Sequence, residues 1–357
     1  MVAPVTLSID AMSGDHGHGV IVDAALLALH EIPELQLTLV GDQELLNAAL
    51  AARKHVPGER IRVHHASEVV EMHELPSKAL RGKKDSSMRV AINLVKDGTV
   101  QAAVSAGNTG ALMATARFVL KTLPGIDRPA IVSAIPSING HVHMLDLGAN
   151  AECDAAQLLQ FAVMGSAIVN AVYGIERPTL ALLNIGEEEI KGNEVIKQAA
   201  ALIASSGLNY IGFVEGDGIF LKDVDVVVCD GFVGNIALKT GEGVAKMMRQ
   251  FMQEEFTRSV FTKAAAAMAM PALKALGKRM DPRHYNGASF AGLNGIVIKS
   301  HGSADAIAFA NAIRVAVLEV EKDVPKRITS LLLATADAAV TLPVQVDTSV
   351  ELPPAGV

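Results

Sequence analysis

Cysteine is nearly absent: the 357-residue chain has only Cys153 and Cys229, far apart in sequence. Neither lies in a CxxC pair or beside clustered histidines, which argues against a disulfide scaffold and a structural zinc site. A surplus of positive charge is also missing. The 31 Lys and Arg against 38 Asp and Glu leave a net charge of −7, whereas a general nucleic-acid binder needs a dense cationic surplus to displace phosphate counterions. The sequence opens on the strand-like VTLSIDAM with no basic segment leading into an apolar one, so a cytoplasmic protein is expected. The longest uncharged run, 155–175, is interrupted by Gln157, Gln160, Gly165, Ser166 and Asn170. It reads as a buried helix, not a membrane span. No fixed-period repeat appears, and no Pro- or Ser-rich linker clearly divides the chain.

What the chain does have is apolar content, half of its residues, which is enough for a large core in one or two α/β domains. Short apolar runs end repeatedly in Gly, Asp or Asn: VTLSID, LQLTLVGD, AAVSAGNTG, VHMLDLGAN, LALLNIGEE, YIGFVEGD and DVVVCDGFVGN. Helical stretches at 20–30, 43–53, 87–97, 154–172, 193–206 and 236–256 separate most of them. This alternation predicts a mostly parallel sheet with helices on both faces. Ligands then bind outside the carboxyl ends of the strands. We expect a single α/β domain over 1–337, with a loosely ordered tail over 338–357. The stretch 250–292 breaks the pattern. Its apolar residues recur every three or four positions, which predicts a helical pair over 250–285 broken near Pro271.

Several strand-end loops carry chemistry. In SAGNTG (105–110) small residues let backbone amides approach an anion, with Ser105, Gly107, Asn108 and Thr109 at a helix amino terminus. A tight turn with an Asn or Thr cap explains the same residues without a ligand. DGFVGN (230–235) repeats the design through Asp230, Gly231, Gly234 and Asn235. Two such turns at one sheet edge would cradle a single phosphate. DAMSGDHG (10–17) sets Asp10, Asp15 and His16 at the tip of the first strand, either as an oriented acid or base or as a cap beside a solvent-facing histidine. It is not a GxGxxG turn, so it gives dinucleotide binding little support. DLGAN contributes Asp146 and Asn150, and NIGEEEIKGNE contributes Asn184 and that loop's one cation, Lys191. Two basic groups, Arg81, Lys83, Lys84 and Arg89, and Lys263, Lys274, Lys278, Arg279 and Arg283, read either as docking patches for an acidic partner or as solvated faces.

These motifs, together with KKDSSMR, GIDRPA and the HGS at 301, resemble in order the PlsX family of acyl-ACP:phosphate acyltransferases over about residues 5–330. The departures are Ser13 and Asn286, at positions where that family often has glycine. The resemblance implies a homodimeric three-layer α/β/α Rossmann-like fold, similar to phosphotransacetylases and the isocitrate dehydrogenase type. It implies transfer of a fatty acyl group from acyl carrier protein to inorganic phosphate; no metal or organic cofactor is expected, because the sequence has no ligand cluster and no dinucleotide turn. It also implies peripheral contact with an anionic membrane through the 250–285 hairpin, and a membrane glycerol-3-phosphate acyltransferase that takes the product. Phosphate is itself a competent nucleophile toward a thioester, so the expected site holds the dianion in line with the carbonyl and stabilises the oxyanion. Lys191 is assigned to charge, His16 to the leaving thiolate, and the SAGNTG and DGFVGN loops to phosphate. Acylation of Cys153 or Cys229, a non-catalytic scaffold and a nicotinamide dehydrogenase are the alternatives.

Overall fold

The structure, a computed structural model, describes residues 4–279 and 281–341. Strand and helix alternate first through β1 (Val5–Asp10), α1 (His18–Glu31), β2 (Leu35–Gly41), α2 (Gln43–Ala52) and β3 (Ile61–His65). There follow α3 (Pro76–Gly82), α4 (Ser87–Lys96), β4 (Ala102–Ser105) and α5 (Thr109–Leu120). A hairpin of β5 (Ala130–Ser137) and β6 (Gly140–Leu145) leads to α6 (Ala155–Tyr173), β7 (Leu180–Leu183), α7 (Glu194–Ala204) and β8 (Tyr210–Val214). Then come α8 (Gly218–Leu221), β9 (Val226–Val228), α9 (Gly231–Thr257) and α10 (Val260–Arg279). Last are β10 (Ala288–Ala291), β11 (Ile296–Lys299), α11 (Ala306–Glu321) and α12 (Val324–Thr341). The helical stretches expected from sequence match α1, α2, α4, α6, α7 and α9 closely. Helix α12 extends into the segment expected as a loose tail, and 342–357 lie outside the described residues.

Among the described residues eleven strands join one sheet in the order β3-β2-β1-β4-β11-β10-β5-β6-β9-β7-β8. Seven neighbouring pairs are parallel and three, β11/β10, β10/β5 and β5/β6, are antiparallel. Three reversals are an odd number, so β6, β9, β7 and β8 run opposite to β1, β2, β3, β4 and β11. The carboxyl ends of the two parallel halves therefore leave opposite edges of the sheet.

The three layers follow from where the apolar residues alternate. One core spans a whole face, packing α4 and α5 against residues such as Val104's neighbour Ala103, Met144, Val227 and Val297. On the other face, one core lies under α1, α2 and α11 and another under α6, α7 and α12. Helix α6 is the one described helix long and apolar enough to cross a bilayer, but 72% of its window is buried, as the polar interruptions suggested. Its ends are fixed by an Asp154/Gln157 capping box and by Gly174 in the left-handed conformation.

The helical pair breaks at a different place from the one expected. Helix α10 runs through Pro271, and the turn lies at Arg258–Ser259. Ser259 and Thr262 cap reciprocally: the Thr262 N–H donates to Ser259 Oγ at 3.1 Å, and the Ser259 N–H donates to Thr262 Oγ1 at 2.9 Å. The helix around Pro271 is exposed, so water can serve the carbonyl that proline leaves without a donor.

One buried group makes stability depend on pH. Glu319 of α11 is 3% exposed and accepts the Ser289 hydroxyl of β10 at 3.1 Å. Burial pushes its carboxyl from the ordinary 4.5 up to about 7. Below pH 4.5 the group is protonated whether folded or not. Between 4.5 and about 7 the unfolded chain ionises first, so stability falls as pH rises, by about 3 kcal/mol in all. Glu319→Gln keeps an acceptor for Ser289 and is expected to melt above wild type near pH 8, with a flatter decline at mildly acidic pH. Equal melting temperatures near pH 8 would contradict an uncompensated carboxyl.

Candidate functional site

At the edge where β1, β4 and β11 end, three loops are tied together. The Ser105 hydroxyl donates to Asp10 Oδ2 at 2.6 Å and accepts the Gly107 N–H at 3.1 Å. Ser13 Oγ donates to the Asp10 carbonyl at 2.8 Å and accepts the Ala106 N–H at 3.0 Å. The Asp15 N–H donates to the Gly302 carbonyl at 2.8 Å, and the Ser300 N–H to the Ser105 carbonyl at 2.9 Å. Asn108 caps α5 by accepting the Ala111 N–H at 2.9 Å, while its Nδ2 holds the Met72 and Glu74 carbonyls at 2.7 and 3.1 Å. Thr109 and His16 stand exposed on the rim. Burial pushes the Asp10 carboxyl up against the pull of Ser105.

The charge at this edge comes from a residue the sequence reading did not select. Lys299, the last residue of β11, donates to the Ala106 carbonyl at 3.4 Å and to the Ser300 carbonyl. Burial lowers its ammonium from 10.5 to about 8; Asp15 and Asp10 oppose that shift, and Lys239 of α9 adds to it. Next to it, burial and Lys239 also hold His301 below its ordinary value. The missed signal was the Lys-Ser-His-Gly that follows the apolar GIVI run. A strand ending in lysine lacked the Gly, Asp or Asn that marked the others.

At the opposite edge β6, β7 and β9 end. Asp146 is fully buried, and its Oδ1 accepts the Ile131, Gly148 and Ala149 N–H groups at 2.9, 3.2 and 3.1 Å. Its Oδ2 accepts the Asn150 N–H at 2.7 Å and Asn150 Nδ2 at 2.9 Å. Asn150 Nδ2 also holds the Pro129 carbonyl at 2.9 Å, and the Asn150 carbonyl accepts the Gly231 N–H at 2.8 Å. Asp230 caps α9 through the Val233 N–H at 2.8 Å. Gly231 and Gly234 let α9 start against this loop: a Cβ at 231 would sit 2.7 Å from the Asn150 carbonyl, and one at 234 would collide with the Asp146 carbonyl. Asn235 is exposed beside Gly148. In the next loop Asn184 Oδ1 accepts the Ile185 N–H at 2.9 Å. Lys191 is exposed, and the neighbouring Glu187 is paired with Lys222 at 2.5 Å.

The expected single cradle therefore separates. SAGNTG follows β4 and DGFVGN follows β9, and because those strands run in opposite directions the two turns leave opposite edges of one chain's sheet. Asp10, Asp15, His16, Ser105, Gly107, Asn108 and Thr109 gather at one edge with Lys299. Asp146, Asn150, Asn184, Lys191, Asp230, Gly231, Gly234 and Asn235 gather at the other. Helix α9 connects them, with Gly231 packed at the second edge and Lys239 acting on Lys299 and His301 at the first. The cysteines are poor nucleophiles: burial pushes the Cys153 thiol up to about 12, and Cys229 is buried with its thiol raised. Among the described residues no group of three His, Cys, Asp or Glu side chains is placed to hold a metal ion.

Ser13 and Asn286, the two departures from the resembled pattern, both bond at the first edge. Asn286 Nδ2 donates to Ser300 Oγ at 2.8 Å and to the Ala308 carbonyl at 2.7 Å, and its Oδ1 accepts the His301 N–H at 2.9 Å. Ser13 does more than supply a small side chain, since its hydroxyl joins the β1 and β4 loops.

Among solved structures, the chain is similar to a phosphotransacetylase from Staphylococcus aureus with a TM-score of 0.58 and 16% identity, covering 89% of this chain and 94% of that one. A phosphotransacetylase from Streptococcus pyogenes gives 0.59 and 18% at the same coverage. These likenesses establish the fold. In sequence the chain is 62% identical over 323 residues to a phosphate acyltransferase from Methylococcus capsulatus, covering 90% of this chain and 95% of the relative. It is 59% identical over 328 residues to one from Nitrosococcus oceani, covering 92% and 96%. The family model described as fatty acid synthesis protein matches residues 5–327, and with relatives this close along nearly the whole length, the chain belongs to that family.

Proposed function

We propose that this protein is a phosphate acyltransferase, moving a long-chain fatty acyl group from acyl carrier protein to inorganic phosphate for phospholipid synthesis. The observation that carries this reading is the identity of 62% with a phosphate acyltransferase over 90% of the chain. The first edge supplies a chemistry to match. Lys299 and the amino terminus of α5 supply positive potential for a phosphate dianion, with Lys239, which is paired with Glu242 at 3.0 Å, close enough to act on Lys299. A phosphate oxygen attacks the thioester carbonyl, the C–S bond breaks, and the leaving thiolate takes a proton from His16 or from water. No enzyme nucleophile is needed, in keeping with the raised cysteine thiols.

In this reading Lys299 holds the phosphate, and Lys191, in the loop after β7, serves that site only if a second copy or a loop movement brings it near. Homodimer formation and carrier-protein binding belong to the same proposal. So do cytoplasmic location with peripheral membrane contact and delivery to a membrane glycerol-3-phosphate acyltransferase. Support for the membrane contact comes from the hairpin, where Phe251, Val260, Phe261 and Met268 are 53%, 82%, 88% and 80% exposed and α10 has no buried residue. Lys263, Lys274, Lys278 and Arg279 stand among them, a pattern suited to an anionic headgroup layer.

Acyl-phosphate formation from acyl carrier protein and labelled phosphate tests the activity itself. Lys299→Gln is expected to cost on the order of a hundredfold in turnover per phosphate, the scale of one lost anion donor. The wild-type KM for phosphate should rise above about pH 8 as the Lys299 ammonium deprotonates, and that limb should vanish in the variant. If Lys191→Ala had this effect and Lys299→Gln did not, the anion site would belong to the other edge. For the hairpin, Phe261→Asp or Met268→Asp should release the enzyme from anionic vesicles in sedimentation while sparing its size-exclusion profile and its activity in solution. Monomerisation, with no vesicle binding by wild type, would assign these residues to a contact between copies.

A further inference from the structure

The basic groups noted in sequence are not all available to a partner. Lys83 is paired with Glu74 at 2.7 Å and donates to the Val69 carbonyl, and Arg283 is held by Asp281 at 2.6 Å and Asp305 at 3.3 Å. A cluster on α4 and α5 differs. Phe118 is 52% exposed, with the Arg89 guanidinium 5.1 Å and the Lys121 ammonium 4.8 Å from its ring centroid. Arg117 is exposed beside it. Among the described residues Arg89, Arg117 and Lys121 make no ion pair with a carboxylate, and Arg89 Nε is buried without a hydrogen-bond partner. In a chain of net charge −7, three uncompensated cations around an exposed aromatic ring form a local surface of opposite sign.

We propose that the Phe118 surface, with Arg89, Arg117 and Lys121, is where the acidic carrier protein docks to present its acyl thioester, a proposal that rests on the acyl-transfer reading. Three features favour this occupant. The first is charge complementarity, with a half-exposed aromatic ring at the centre for an apolar contact. The second is position. Arg89 lies on α4, whose Ala91 carbonyl accepts the Ser8 hydroxyl of β1 at 2.8 Å, and Phe118 lies nine residues beyond Thr109, about 14 Å along α5. A carrier seated there has the phosphate edge within range of a flexible prosthetic arm. The third is exclusion: a two-fold contact centred here would set this cationic patch against itself.

Phe118→Ser and Lys121→Glu, both on exposed positions, and Arg89→Gln test the surface. Each variant is first checked by circular dichroism. KM for the acyl carrier substrate and the Kd for unacylated carrier protein, by calorimetry at several salt concentrations, should each rise by about tenfold. Turnover at saturating carrier and KM for phosphate should stay within about twofold. Wild-type affinity should weaken with added salt. Unchanged KM and Kd in folded variants overturn the surface while leaving the acyl-transfer reading intact. Carrier binding by a wild type that makes no acyl-phosphate overturns the reaction and not the surface. A shift in size-exclusion elution, or loss of anionic-vesicle binding with carrier Kd unchanged, gives the patch to a second copy or to the membrane and also overturns the proposal.

Discussion

The antiparallel strand β10 and the β5–β6 hairpin, set in the middle of an otherwise parallel sheet, fix where everything else can be. Three reversals leave the halves running in opposite directions, so strand-end loops that look alike in sequence leave different edges. One edge is rich in tight internal bonds around Asp146. The other holds a half-buried lysine, Lys299, that among the described residues makes no ion pair with a carboxylate. Helix α9 has to be long because it starts against the Asp146 loop and continues to Lys299, His301 and the hairpin. Its start tolerates only glycine at 231 and 234, where the backbone of the neighbouring loop occupies the place of a side chain.

Much of the local structure was legible in the sequence. Apolar runs ending in Gly, Asp or Asn marked β1, β2, β4, β6, β7, β8 and β9, and the helices between them followed from composition. Strand direction was not legible, because β10 and β11 come late in the chain and insert between β4 and β5, and no local pattern encodes a long-range pairing. The two glycine-rich turns therefore looked like neighbours. Lys299 escaped notice for a related reason: a lysine at a strand end is ordinary until the fold half-buries it where the β1, β4 and β11 loops meet. Pro271 was the obvious helix breaker, yet an exposed helix tolerates proline, and the Ser259–Thr262 cap set the turn instead. Asp146 and Asn150 show how a ligand-like loop can use its polar atoms within the fold.

The fold alone does not select an activity. At TM-scores above 0.5 and identities below 20% the chain resembles both phosphotransacetylases and a 4-hydroxythreonine-4-phosphate dehydrogenase from Klebsiella pneumoniae. Sequence identity near 60% along the whole domain separates these possibilities. The proposed reaction needs no enzyme nucleophile, in keeping with the raised cysteine thiols, and the proposed anion site is the edge with Lys299.

A crystal structure with bound inorganic phosphate tests the central claim most directly. The account predicts tetrahedral density at the edge formed by β1, β4 and β11, within hydrogen-bond reach of Lys299 Nζ and the first amides of α5. Density beside Lys191 and the 230–235 turn, with the Lys299 edge unoccupied, would contradict it.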